Sequence, residues 1–212
     1  QRLLEAAGEE FARRGFENAS VRAMCVKADA NVSAVKYHFG SKRDLYAEVW
    51  RKTVERTVTY KQIPDFASAT ELHDDLPAAR EALRTFVRWF IELMLFQDAR
   101  MSPSLGHLLS HEMLSPTPGG IDLFLERCAR PIHRELRAII STLTGRPAND
   151  RLLGKLANHV IALCVHPHQS RDVHAKTGAA VPGSKPALRK FADEISQFAL
   201  GGIETFRIGD KA

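Results

Sequence analysis

Long apolar runs are missing from this chain of 212 residues. A helix that crosses a membrane needs about 18 or more apolar residues in succession, and no such stretch occurs in the sequence. The sequence therefore predicts a protein that makes no membrane contact.

Cysteine is scarce as well. Cys25, Cys128 and Cys164 lie far apart in the sequence, and their odd number leaves no complete pairing. Secreted domains that rely on disulfides carry more cysteines at closer spacing. We therefore expect buried, reduced thiols in a cytoplasmic protein.

Motifs of catalysis and cofactor binding are also missing. Serine, histidine and aspartate are present, but no Gly-x-Ser-x-Gly elbow, phosphate-binding loop or dinucleotide fingerprint accompanies them. The sequence predicts a protein that is not an enzyme and that has no cofactor.

Histidines fall in two short clusters. His107 and His111 are four residues apart, and Cys164, His166 and His168 lie close together. These side chains could bind zinc or copper, but the glutamate of HLLSHE stands outside the spacing of the zinc-protease motif. Surface or pocket-lining histidines are the more common outcome, so we predict no metal site.

Positive charge is concentrated near one end. The whole chain has a formal net charge of +5. Residues 1–62 hold 12 Lys and Arg against 8 Asp and Glu, whereas the remaining 150 residues hold 18 against 17. Because binding to phosphates requires a local basic excess, this distribution favours a nucleic-acid surface in the first 62 residues.

Two short helices with a tight turn between them are predicted in the same region. Ser20 can cap a helix over 21–28, and Asn31 can cap another over 32–39. Only two residues remain between the first helix and the second cap, so the helices must cross steeply, as in a helix-turn-helix unit. The second helix of such a unit fits the major groove of DNA.

The second helix has one apolar and one polar side. Val32, Val35 and Phe39 recur at helical spacing and predict a packed stripe. On the other side Lys36 can bind a phosphate or a guanine edge, and Ala34 is small enough to approach a thymine methyl. The expected DNA-binding residues are Ser20, Val21, Arg22, Asn31, Ser33, Ala34, Lys36, Tyr37, His38 and Lys42. The plain alternative is an ordinary helical hairpin with a solvated polar face.

A third helix precedes this pair. Residues 2–14 are amphipathic, Gly15 should stop the helix, and Phe16 can pack back onto it. Together the three helices make a minimal core.

The segment LLEAAGEEFARRGFENASVRAMCVKADANVSAVKYHFGSKRDLY resembles the N-terminal domain of TetR-type transcriptional regulators. The AA..EF...GF opening, the turn rich in small residues and the YHFGSK ending carry this resemblance. Asp29 replaces the usual turn glycine, and aspartate tolerates a positive φ better than most residues. Downstream, HLLSHEMLSPTPGGIDLFLERCARPIHRELRAIISTLTG followed by ALCVH most resembles the CecR-like subgroup.

The resemblance implies a DNA-binding domain over 1–46 and an effector-binding and dimerisation domain over 47–212. It implies a homodimeric repressor that blocks an operator in double-stranded DNA until a small-molecule effector releases it. The whole chain is predicted to be all-α, with about nine helices and no strand signal of note. Downstream helices are expected at 42–60, 76–99, 104–114, 121–143 with an interruption at Pro131, 151–166 and 187–206; Pro167 should break the helix before it, and 166–186 should be a loop.

Effector binding and dimerisation have candidate residues too. A partly apolar effector would meet Trp89, Phe90, Met94, Met101, Leu108, Phe124 and Cys128, although each of these alone is also an ordinary core residue. His107, His111 or His133 would form a hydrogen bond with a polar atom of the effector. A second copy would contact His159, Leu163, Phe191, Ile195, Phe198 and Gly202, unless these residues close the chain's own core.

A helical protein-interaction adaptor is the competing class of protein. It would share the amphipathic helices but would have no use for the polar surface over 31–42.

Overall fold

The computed structural model describes residues 1–60, 75–95, 105–117 and 122–209, apart from the side chains of 57–60, 113 and 123. Regular structure in these ranges is entirely helical, which confirms the all-α prediction. In the same ranges no helix has the length and apolar character needed to cross a membrane. Met101 and the predicted helical residues 96–99, 104 and 121 lie outside the described residues. The helices are α1 (Arg2–Asn18), α2 (Val21–Ala28), α3 (Val32–Phe39), α4 (Lys42–Tyr60), α5 (Leu76–Leu95), α6 (Leu105–Leu114), α7 (Asp122–Phe124), α8 (Arg130–Thr144), α9 (Arg151–Gln169), α10 (Arg171–Lys176) and α11 (Lys185–Glu204).

The chain divides into two compact units. The first unit comprises Gln1–Gln62 and Asp98–Arg130, and the second comprises Ile63–Gln97 and Pro131–Ala212. The domain boundary predicted after residue 46 falls within α4 and stays a prediction.

Aromatic side chains form the core of the first unit. Phe11, Tyr46 and Trp50 are almost completely buried, and the ring of Phe11 meets that of Tyr46 edge-on with centroids 4.8 Å apart. Gly15 bends the end of α1 at φ 70°, which brings Phe16 back against Phe11 as the sequence predicts. Burial of each such ring stabilises the fold by about 1.5–3 kcal/mol, so this cluster anchors the short α2 and α3.

The second unit is built on α5, which packs against α11 and α9. Leu83, Phe86 and Val87 of α5 are fully buried because they recur on one side of the helix. Exposed ion pairs border this packing, with Arg80 Nε 2.7 Å from Glu204 and Arg88 Nε 2.7 Å from Asp193.

The two prolines expected to disturb helices behave differently. A π-helical turn over Leu125–Ala129 separates α7 from α8 and ends two residues before Pro131, so the predicted interruption of this helix is present next to the proline. The helix end predicted at Pro167 is wrong, because this buried proline lies inside α9, two residues before its last residue, Gln169. The packing around a buried proline can offset the cost of about 3 kcal/mol that its lost hydrogen bond imposes on a helix.

The segment after Pro167 also differs from the prediction. The loop expected over 166–186 contains α10, which the backbone of Ser170 joins to α9. The N–H of Ser170 donates to His166 O, and the N–H of His174 donates to Ser170 O, both at 2.9 Å. This arrangement depends on the continuation of α9, which the sequence pattern did not indicate.

Candidate nucleic-acid interface

Side-chain caps fix the ends of the two predicted DNA-binding helices. Ser20 Oγ accepts the N–H of Ala23 at 3.3 Å, and Asn31 Oδ1 accepts the N–H of Ser33 at 2.9 Å. Ser33 Oγ donates to the same Asn31 oxygen at 3.0 Å. Each cap satisfies a backbone N–H that has no partner within its helix, so both helices begin at the predicted residues.

The turn between α2 and α3 accommodates aspartate in place of glycine. Asp29 adopts φ 52° and ψ 51°, the left-handed conformation. Its N–H donates to Val26 O at 3.2 Å, and that of Ala30 donates to Cys25 O at 2.9 Å. These two bonds close the end of α2 and turn the chain directly into the cap of α3.

Polar side chains cover the open side of α3. Ser33, Lys36 and His38 are exposed, and the ring of Tyr37 is 85% exposed although it meets His38 edge-on at 4.9 Å. On the opposite side Val35 is buried. The row from Ser33 to His38 is therefore available to a groove, and the helix is anchored from behind.

Two details of this helix differ from the predicted stripe. Val32 is 50% exposed and Phe39 is only half-buried, because Val32 opens the first turn and Phe39 closes the last one of a helix only eight residues long. Val35 alone lies centrally enough to be covered. Ala34 is half-buried, and the exposed Asn31 has its amide oxygen engaged in the cap.

The three DNA-binding residues predicted at the start of α2 also differ in exposure. Arg22 is exposed in the first turn, whereas Val21 and Ser20 are half-buried. Ser20 is linked to α1 as well, since its N–H donates to Glu10 Oε1 at 3.3 Å.

Glu10 is a residue that sequence reasoning missed. Its carboxylate is almost buried, pairs with Arg13 at 2.6 Å and Arg14 at 3.1 Å, and accepts the N–H of Ser20. The hydrogen bond from Arg13, with smaller contributions from Ser20 and Arg14, lowers the pKa of Glu10 despite its burial. One carboxylate thus links α1 to the start of α2. The only sequence signal for this role of Glu10 is the position of an acidic residue close to two arginines on α1.

The ammonium group of Lys42 contacts the end of α1. Its Nζ donates to Glu17 O at 3.1 Å and stands 5.0 Å from the centroid of the Phe16 ring. Arg43 follows it and is exposed in the first turn of α4. Ser41 caps that turn by accepting the N–H of Asp44 at 3.1 Å. Arg43, which sequence reasoning did not single out, is therefore the more accessible cation at this helix start.

A buried polar network joins α4 to α6 within the first unit. Tyr46 Oη donates to Glu112 Oε1 at 2.6 Å, and Glu112 Oε2 accepts the N–H of Thr117 at 2.9 Å. Burial and the nearby carboxylate raise the pKa of Tyr46 far above its ordinary value, so the hydroxyl stays a donor. His111 is bound nearby, with Nε2 3.1 Å from Ala12 O.

The predicted effector residues are divided between the two units. His107, Leu108, His111, Phe124 and Cys128 belong to the first, and Trp89, Phe90, Met94 and His133 belong to the second. The nine candidates that the structure describes therefore do not share the core of one unit. His133 and His111 are engaged by the protein itself, since His133 Nε2 lies 2.7 Å from Asn158 Oδ1 and His111 Nε2 lies 3.1 Å from Ala12 O.

All three cysteines are free and buried, as expected from the sequence. Burial raises the pKa of Cys128 to about 11 and that of Cys164 to about 12, and it also raises the pKa of Cys25. These thiols therefore remain protonated and unreactive near neutral pH.

The predicted dimer residues lie on the outside of the second unit. Phe198 is 73% exposed; His159 and Gly202 are also exposed, and Leu163, Phe191 and Ile195 are half-buried. The side of α11 that is buried within the chain uses different residues, among them Leu188, Ala192 and Ala199.

Two known protein families match separate parts of this chain. Residues 3–49 match the family described as bacterial regulatory proteins, tetR family, and residues 79–203 match the C-terminal domain of the HTH-type transcriptional dual regulator CecR. The HTH-type transcriptional dual regulator CecR of Shigella flexneri is 31% identical over 154 residues, which cover 71% of this chain and 66% of that protein. The chain thus spans slightly less than two thirds of the length of this relative.

Solved structures show the same fold. The crystal structure of HlyIIR, a hemolysin II transcriptional regulator, has a TM-score of 0.61 at 16% identity, covering 93% of this chain and 94% of that one. A TetR-like transcriptional regulator from Rhodococcus sp. RHA1 has a TM-score of 0.58 at 19% identity, with 95% of each chain covered. The resemblance inferred from the sequence is confirmed, and the chain belongs to the TetR family of helix-turn-helix transcriptional regulators, with a C-terminal domain of the CecR type.

Proposed function

We propose that this protein is a homodimeric repressor that binds an operator in double-stranded DNA and leaves it when a small-molecule effector binds. The observation that carries the proposal is the exposed row Ser33, Lys36, Tyr37 and His38 on α3, a helix that the Asn31 cap and the buried Val35 hold in place. A rigid helix with one polar, basic side satisfies the requirements of major-groove binding.

Each exposed residue has a role in this proposal. Lys36 contacts a phosphate or a guanine edge, and Ser33 bonds either a base or the backbone. Tyr37 and His38, near the end of α3, reach phosphate and sugar. Arg43 neutralises a further phosphate at the start of α4, where backbone N–H groups also favour an anion.

Dimerisation supplies a second copy of the DNA-binding helix α3. A single α3 reads too few base pairs for useful specificity, and two copies related by a twofold axis read two half-sites in successive turns of the duplex. The exposed side of α11 and the neighbouring residues of α9 offer an apolar contact for the second copy, with Phe198 as the most exposed member.

The effector is proposed to be partly apolar. Phe86, Trp89 and Phe90 of α5 form a ring cluster with centroids 5.7–6.1 Å apart, and aromatic side chains of this kind contact the apolar part of a ligand. For release, the effector must bind the DNA-free conformation more tightly than the DNA-bound one. Such a regulator would act in the cytoplasm, where bacterial DNA is located.

Fluorescence anisotropy with labelled duplexes from the region upstream of the protein's own gene tests DNA binding. We expect Lys36→Ala to weaken operator binding by about 1–3 kcal/mol if the lysine contacts a base. Lys176→Ala, which removes an exposed lysine from α10 in the second unit, is the matched control and should leave affinity unchanged. Absence of binding at low salt would favour the adaptor instead, because electrostatic DNA binding is strongest there.

A further inference from the structure

Two histidine rings meet edge-on where α9 ends and α10 begins. Nδ1 of His166 lies 3.1 Å from Nε2 of His174, and the ring centroids are 5.1 Å apart with the planes at 71°. His166 is exposed and His174 is half-buried, so solvent reaches the pair.

The backbone fixes this pairing. Ser170 stands between the helices, its N–H bound to His166 O and its own carbonyl accepting the N–H of His174. Sequence spacing alone places His166 and His174 on separate elements, since a helix break was expected at Pro167. The pair exists because α9 runs on to Gln169 and α10 begins at Arg171, with Ser170 alone between them.

A neighbouring hydroxyl orients the first ring. Nε2 of His166 lies 3.2 Å from Ser170 Oγ. When Nε2–H donates to this oxygen, the lone pair of His166 is on Nδ1, directed towards His174. Metal-binding histidines typically use their second ring nitrogen in such a hydrogen bond, which sets the tautomer and the ring orientation.

The separation of the two nitrogens suits a shared metal ion. Nitrogen ligands bind Zn²⁺ at about 2.0–2.1 Å, so two of them stand about 2.9 Å apart at a right angle and about 3.3 Å apart at the tetrahedral angle. The observed 3.1 Å falls between these values. We propose that His166 and His174 chelate one divalent transition-metal ion of the zinc, copper and nickel class, with water in the remaining positions.

Other residues define the limits of this site. In the described parts of the chain no group of three or more His, Cys, Asp or Glu residues is placed to hold a metal, so the site has two protein ligands. Cys164, which the sequence pattern grouped with His166, is buried as a protonated thiol. Mg²⁺ and Ca²⁺ prefer oxygen ligands, so this site should discriminate against them.

Calorimetric titration of the full chain with Zn²⁺ in a non-chelating buffer tests the proposal. We expect saturable binding of one equivalent and no comparable binding of Mg²⁺. His166→Asn and His174→Asn should each weaken Zn²⁺ binding by at least about tenfold. Asp172→Asn, which removes an exposed carboxylate from the first turn of α10, should bind as the parent does. Melting curves followed by circular dichroism check that all three variants fold.

A spectroscopic measurement identifies the ligands directly. With one equivalent of Cu²⁺, the electron paramagnetic resonance spectrum of the parent should show coupling to two imidazole nitrogens, and each single variant should lose one of them. Unchanged Zn²⁺ affinity in both variants, or no saturable uptake by the parent, would overturn the proposal and leave the two rings as a hydrogen-bonded pair. Neither result bears on DNA binding, because neither histidine belongs to the DNA surface.

Discussion

Replacement of Phe198 by alanine should separate the dimer without destabilising the subunit. The ring is 73% exposed in the single chain, so its removal takes little from the packing of α11, and the free energy of unfolding of the monomer should change by less than about 0.5 kcal/mol. In the proposed dimer the same ring is covered by the second copy.

The size of the effect follows from this exposure. Full burial of a phenylalanine side chain stabilises by up to about 3 kcal/mol, and 73% of that value is about 2 kcal/mol for each copy. A twofold interface contains both copies, so the dimer should lose about 4 kcal/mol, a rise of roughly a thousandfold in its Kd. If the partner covers only half of the exposed ring, the rise is still about thirtyfold.

Sedimentation velocity over a dilution series measures this Kd. Val26→Ala provides the matched control, because Val26 is 76% exposed but lies on α2 in the first unit. Val26→Ala should dimerise as the parent does. A Phe198→Ala protein with the parent's dimer Kd would refute the assignment of this face, and a parent that is monomeric at all concentrations would refute dimerisation itself.

Four further outcomes follow from individual contacts. Tyr37→Phe should keep more operator affinity than Tyr37→Ala if the ring packs against sugar, and equal losses in anisotropy titrations would assign the contact to the hydroxyl. Arg43→Ala should lower the slope of log K against log salt by about 0.9, whereas Lys42→Ala should change it less because its ammonium is bound to the protein; the reverse order would show that Lys42 leaves Glu17 on binding DNA. Tyr46→Phe should cost about 1–3 kcal/mol in urea unfolding, since Glu112 loses a buried donor, and an unchanged midpoint would show that the bond contributes no net stability. Trp89→Ala should alter the effector response and nearly keep operator affinity, so loss of both would indicate a purely structural role.

Local signals made the DNA-binding helices predictable. Ser20, Asn31 and Asp29 act through backbone groups within a few residues, and the structure has them in the predicted roles. Local chemistry also acts at α9, where Asp150 accepts the N–H of Leu152 at the helix start, and at the end of α8, where Gly145 adopts φ 64°. Capping chemistry of this kind depends only on neighbouring residues.

Long-range contacts were beyond reach of the sequence. Lys42 meets Glu17, and His111 meets Ala12, across 25 and 99 residues respectively. Helical periodicity does not indicate such partners. Both contacts change an expected role, since Lys42 was predicted to bind DNA and His111 to contact the effector. The candidate effector residues illustrate the same limit, because apolar spacing identifies buried positions without showing which unit contains them.

The contact between α6 and α1 has a mechanical consequence. His111 lies so close to Gly15 that a Cβ added there would stand 3.0 Å from its Nδ1, and the same ring holds Ala12 O. No side chain larger than hydrogen fits between the two helices without displacing the imidazole. The helix-turn-helix of α2 and α3 is therefore connected, through α1, to a segment that lies about a hundred residues later in the chain. A displacement of α6 would move α1 and, with it, the two DNA-binding helices.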